Sequence, residues 1–211
     1  MSKQDRTDEL GDIALAEELV FSPCGLVLER IPTDQGRSPD GWVLKYNQRR
    51  ALCEIKSPRD DELIDELAAA RGDDPAAPIV SASIIRTSNL AAPRLARHMK
   101  SAVTQFNALN RDRTVPNVLI IVNHADGWHA GDLQEALTGY FYAEGGEKFA
   151  TEQKVARQIG DARRSTIDLY IWIDRKQRRV TAWIQGNASA EHDATIKALF
   201  LPEMRKARSP D

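Results

Sequence analysis

Pro39-Asp40-Gly41-Trp42-Val43-Leu44-Lys45-Tyr46, followed after a short polar link by Ala51-Leu52-Cys53-Glu54-Ile55-Lys56-Ser57, decides how this chain is read. Both runs have strand character. Trp42, Leu44 and Tyr46 alternate with Val43 and Lys45, and the second run is apolar around two charges. Asn47-Gln48-Arg49-Arg50 between them is short and polar, as a hairpin turn should be. Side chains two apart in a strand share a face, so Glu54 and Lys56 point the same way as Leu52. Cys53 and Ile55 point the other way. A carboxylate and an ammonium in a half-buried strand are costly unless something pairs or uses them. The hairpin brings Asp40 alongside that pair. Two carboxylates and a lysine at one sheet end can hold a divalent cation and a water next to a phosphodiester.

Outward from this hairpin, strands and helices alternate. Residues 8–21 have a helical pattern, with Leu10, Ile13, Ala14, Val20 and Phe21 on one face. Glu17 falls within that face and Glu18 beside it. Residues 24–31 read as a first strand, and 32–38 as a loop rich in Asp, Gly and Pro. Ser57-Pro58-Arg59-Asp60 carries helix start signals for 57–71, while 79–88 is apolar but serine-rich and ambiguous. A long helix over 90–110 places Leu95, Met99, Ala102, Val103, Phe106 and Leu109 on one face and Arg94, Arg97, His98 and Lys100 on the other. Val118-Leu119-Ile120-Ile121-Val122 reads as a central strand buried on both sides. A helix over 132–142 follows, then a mixed segment that could form a lid or short helix. A second hairpin over 166–173 and 180–185 turns at the basic run Arg175-Lys176-Gln177-Arg178-Arg179, and a short helix lies near 193–199. The pattern predicts one α/β domain over 1–211, with a central mixed β-sheet flanked by helices.

Composition bounds the function. Charges nearly balance at a formal −2, which argues against a general polyanion-coating protein. Any nucleic-acid contact must therefore come from a local basic face. One exists: Arg86, Arg94, Arg97, Lys100, Arg111 and Arg113 stand against Asp112 alone. It reads either as a solvated helix face or as a surface on which Arg94, Arg97 and Lys100 contact phosphates. Cys24 and Cys53 form neither a disulfide framework nor a zinc pattern, and both are expected as buried thiols in strands. His124, Asp126 and His129 are metal-capable residue types, but Gly127 and Gly131 favour a plain turn there. No apolar run is long enough for a signal peptide or membrane span, so a cytoplasmic protein is expected.

At Pro39-Asp40 and Glu54-Ile55-Lys56 the chain resembles the PD-(D/E)xK nuclease superfamily, with its restriction-endonuclease-like fold. The order helix, three strands, helix agrees with that superfamily's core over about the first third of the chain. The resemblance implies a nuclease-like core over 8–125, with C-terminal helices and the second hairpin over 131–200 added to it. It implies a metal-dependent nuclease acting on nucleic acid, DNA in preference to RNA, with Mg²⁺ or Mn²⁺ as cofactor. Asp40, Glu54 and the Ile55 carbonyl would hold the metal, and Lys56 would orient or help deprotonate water. An acidic residue on the first helix would complete the metal shell. Glu17 is the candidate, with Glu18 behind it, unless that helix simply turns Glu17 to solvent or to an arginine. Gln105 loosely matches a glutamine of some superfamily branches. The alternative function is a nuclease-fold module without catalysis that binds nucleic acid or a protein partner. A homodimer is open to either.

Overall fold

A computed structural model describes residues 3–32, 38–59, 88–125, 128–142, 147–150, 166–186 and 188–206. Helix α1 (Lys3–Ala16) runs into a π-helical turn (Glu17–Phe21) and a 3-10 turn (Ser22–Cys24). Strands β1 (Val27–Arg30), β2 (Gly41–Lys45) and β3 (Gln48–Lys56) follow, then helix α2 (Ser88–Leu109) and strand β4 (Asn117–Asn123). Helix α3 (Ala130–Thr138) leads to two small strands, β5 (Tyr140–Tyr142) and β6 (Lys148–Ala150). Strands β7 (Leu169–Asp174) and β8 (Arg179–Gln185) and helix α4 (Ala190–Lys206) come last.

Six strands make one mixed sheet in the order β1-β2-β3-β4-β7-β8, and β5 pairs with β6 apart from it. The neighbours β1, β2 and β3 form an antiparallel meander. The three inner strands β3, β4 and β7 are parallel, and β8 returns antiparallel along β7. This is an α/β architecture. β4 is buried at every position because helices cover both of its faces. Val118, Ile120 and Val122 pack in one cluster with Ile13, Ala16, Ile196 and Phe200 of α1 and α4. Leu119 and Ile121 pack in the other, with Leu95, Met99 and Phe106 of α2 and Leu133 of α3. Each of these strand side chains contributes roughly 1.5–3 kcal/mol by leaving water. β7 alternates as its sequence predicts, but both of its faces are buried: Leu169, Ile171 and Ile173 on one side, Tyr170 and Trp172 on the other.

Several expected boundaries move, each for a local reason. The hairpin turn is Tyr46-Asn47 alone, both in the left-handed region at φ 52 and 61, while Arg49 already pairs with Leu44. A two-residue turn of this kind matches the strand twist. The first strand begins at Val27, because Cys24 ends a 3-10 turn and Gly25 takes φ 64. Cys24 is therefore half-buried outside any strand, whereas Cys53 is fully buried in β3. Helix α3 ends early because Gly139 adopts a left-handed cap, its N–H donating to the Glu135 carbonyl at 2.7 Å. Residues 140–142 then become a strand instead of the last helical turn. The final helix is longer than expected. Most of the predicted helix over 57–71, the ambiguous run over 79–88 and the mixed segment beyond residue 150 fall outside the described residues.

The parallel trio gives the sheet a carboxyl edge at Lys56, Asn123 and Asp174. Ligands of open α/β sheets collect at such edges. Among the described residues, no helix is long and apolar enough to cross a membrane.

Candidate functional site

The hairpin register sets Gly41 opposite Cys53, which leaves Asp40 opposite Glu54 just beyond the end of β2. Asp40 and Glu54 clasp each other through the backbone. The Asp40 N–H donates to Glu54 Oε2 at 3.1 Å, and the Ile55 N–H donates to Asp40 Oδ2 at 2.6 Å. The Asp40 side chain thus replaces the backbone acceptor that β2 no longer supplies. Its own carbonyl accepts from Ile31 N–H at 3.0 Å, which anchors the same residue to the chain after β1. Gly41 permits this crowding: a Cβ there would lie 2.8 Å from the Glu29 carbonyl oxygen.

Lys56 lies on the Glu54 face, as strand alternation requires, and its ammonium pairs with Glu54 Oε1. The same ammonium donates to Gln105 Oε1 on α2 at 2.8 Å. Gln105 Nε2 then donates to the Ser38 carbonyl at 3.1 Å. One amide therefore ties α2 to both halves of the hairpin motif. Asp40 and Glu54 are 8% and 1% exposed. Burial raises the Asp40 pKa, and the bond from Ile55 N–H and the charge of Lys56 only partly oppose it. Glu54 is pushed up to about 8, by burial first and by the Asp40 charge second, against the pull of Lys56 and the Asp40 amide.

These groups fit a hard divalent cation. The donors are carboxylate oxygens, and the repulsion and desolvation that raise both pKa values are what a cation would relieve. A strand residue directs its N–H and C=O to the same side. Because Ile55 N–H points at Asp40, its carbonyl faces that edge too, available as a third oxygen. Among the described residues, no three His, Cys, Asp or Glu side chains gather as a ready cage. Glu17 is exposed on the π turn. The helix carboxylate whose charge reaches Asp40 is instead Glu9, one of the causes of its raised pKa. The π turn explains the difference. It breaks the 3.6-residue period, so Asp12, Ile13, Ala16 and Val20 line the buried face while Leu10 is 60% exposed.

The basic side of α2 divides in the same way. Arg97 and Lys100 are exposed, whereas Arg94 is 3% exposed with its guanidinium 5.9 Å from the centre of the Trp128 ring. His98 is partly buried, not on the outer face.

A second cluster lies on the opposite face of β3, at the same sheet edge. Asp12 of α1, 1% exposed, accepts from Ser57 Oγ at 2.5 Å and Arg175 at 2.7 Å, and meets His124 Nε2 at 2.7 Å. Ser57, His124 and Arg175 each follow the last residue of one parallel strand, so α1 is fastened to all three strand ends through one carboxylate. His129 serves elsewhere, as the N-cap of α3, with its N–H donating to Asp132 Oδ2 at 2.6 Å. Asp126 lies outside the described residues. A buried aspartate on α1 was legible only from helix phase, which the π turn obscures. The chain matches no protein-family model, and no curated protein or solved structure matches it.

Proposed function

We propose that this chain is a metal-dependent nuclease that hydrolyses phosphodiester bonds in nucleic acid, with DNA the favoured substrate. The observation that carries the reading is the buried Asp40–Glu54 pair, both pKa values raised, with Lys56 beside it. Two buried carboxylates that share one lysine are only partly compensated, and such perturbed groups cluster at functional sites. The order of helix α1 and strands β1, β2 and β3 is compatible with the element order that the PD-(D/E)xK resemblance implies.

Asp40, Glu54 and the Ile55 carbonyl would hold Mg²⁺ or Mn²⁺. When bound, the metal supplies positive charge at the phosphate and acidifies a water. The protein's own part is positioning. Asp40 is oriented by the Ile55 N–H and Glu54 by the Asp40 N–H, so both carboxylates are held in position by the backbone. Lys56, steered by Gln105, stands where it can hold a phosphoryl oxygen or orient the attacking water. Among the described residues Cys24 and Cys53 are not joined in a disulfide, which suits a reducing cytoplasm.

One observation favours a second reading. Lys56 pairs directly with Glu54, which occupies the lysine and one carboxylate oxygen. A nuclease-fold module without catalysis, binding nucleic acid or a protein partner, would keep such a pair for structure. A cleavage screen over plasmid, single-stranded DNA and RNA with Mg²⁺ or Mn²⁺ separates the two. The nuclease reading expects metal-dependent cleavage that Asp40→Ala and Lys56→Ala abolish. Metal-independent binding with no cleavage of any substrate selects the binding module.

A further inference from the structure

His98 is a partly buried titratable group that the proposed reaction leaves unused. It lies on α2 seven residues, about two turns, before Gln105, so the two share a helix face. Ser101 lies between them and donates to Gln105 Oε1 at 3.2 Å. The end of α2 is tied to the start of β4, where Asn110 donates to Asn117 at 2.8 Å. Earlier residues of α2 therefore climb toward the carboxyl edge of the parallel strands, where the charge of Lys56 acts on the His98 ring.

The Nε2 atom of His98 is buried and has no hydrogen-bond partner among the described residues. Leaving such a group unsatisfied is costly, and unsatisfied buried groups in folded proteins commonly mark a ligand, ion or catalytic role. Among the described residues, the charges acting on the ring are those of Lys56, Arg97 and Arg94, all positive. Burial and these cations hold its pKa down to about 4, so the imidazole is neutral near pH 7 and can donate without carrying charge. A second cation in this recess would be repelled, and an anion would be drawn in.

We propose that His98, Lys56 and Arg97 form an anion recess that receives a phosphate oxygen of the nucleic-acid strand beside the carboxylate pair. His98 donates from Nε2, Lys56 supplies charge from the strand side, and the exposed Arg97 supplies it from the rim. The identity of the anion rests on the nuclease reading; the recess does not. Contacts of this kind are often completed only when the ligand enters.

The test uses the full chain labelled with ¹⁵N-histidine and titrated with inorganic phosphate without divalent metal, His98→Gln assigning the resonance. The expected result is a saturable displacement of the His98 Nε2 signal, with Arg97→Gln weakening apparent affinity about two- to fivefold. A His98 signal that stays put overturns the recess. So does equal movement of all four histidines, which means an adventitious ion only. Nucleic-acid cleavage with a silent His98 sinks the recess alone. A phosphate response at His98 in a chain that cleaves nothing keeps the recess and removes the nuclease reading.

Discussion

Glu54 is a carboxyl group whose burial sets its protonation against its ordinary value. Its carboxyl is pushed from an ordinary 4.5 up to about 8, chiefly by burial. Between those values the folded chain holds a proton that the unfolded chain has released. The stability this proton contributes is fully present below about pH 4.5 and is lost as pH rises through about 8. Glu54→Gln keeps the size and removes the titration. In metal-free buffer the wild-type Tm should therefore fall from pH 5 to pH 8 by on the order of 5–10 °C more than that of the variant. Thermal scans at the two pH values read this directly, and parallel changes in both proteins would mean that Glu54 titrates normally. Mg²⁺ affinity should rise with pH over the same window, because a metal must displace the proton.

Elements meet this site through single polar ties. Helix α1 is docked by Asp12, whose carboxylate serves Ser57, His124 and Arg175 together. Asp12→Ala leaves three donors facing a void and should cost about 2–4 kcal/mol in urea denaturation. A loss under about 1 kcal/mol would mean that water replaces the carboxylate well. Helix α2 carries the phosphate-contacting surface proposed for Arg97 and Lys100. Arg94 does not belong in the same experiment, because it is buried against Trp128 and its reversal would report on packing. The double variant Arg97→Glu/Lys100→Glu should weaken DNA binding and lower the slope of log affinity against log salt by about 0.9 for each phosphate it no longer neutralises. Unchanged slopes would leave this face simply solvated.

At the scale of the whole molecule, the two layers of helices bury β4, nearly all of β7 and the middle of β3 on both faces, and the parallel pairing brings the carboxyl ends of the three strands to one edge. Polar groups fasten the opposite edge as well: Asp168 is fully buried and pairs with Arg113 and with His192 of α4. The sheet is thus clamped at both ends, and the carboxylate pair is held at one of them. A cation bound there should stabilise the entire fold. At a hundredfold excess over Kd, Mg²⁺ should contribute about 2.7 kcal/mol, or roughly 5–10 °C in Tm for a chain of this size. Glu54→Gln should lose most of that gain, and a wild-type Tm indifferent to Mg²⁺ and Mn²⁺ would count against the metal site.

The α/β class, the central position of β4, the Trp42–Lys56 hairpin and the shared face of Glu54 and Lys56 were all legible along the chain. Each follows from local periodicity: a two-residue repeat in strands, or an apolar run of strand length. The juxtaposition of Asp40 with Glu54 was only partly legible: the register shifts by one residue between Val43 and Leu44, and without that shift the tight turn would set Asp40 opposite Cys53. What lay beyond reach depends on contacts between distant segments. Helix phase put Glu17 on the inner face of α1, but the π turn rotates the chain, so Asp12 is buried and Glu9 is the acid felt at Asp40. The polar stripe of α2 gave no sign that Arg94 would be buried against Trp128 or His98 drawn inward, because which side of a helix is covered depends on what packs there. The Asp12 cluster spans residues from 12 to 175, and only the parallel pairing of three strands brings its members together. Periodicity acts over a few residues and is written locally; burial and charge pairing are set by the packing of layers, which only the folded chain decides.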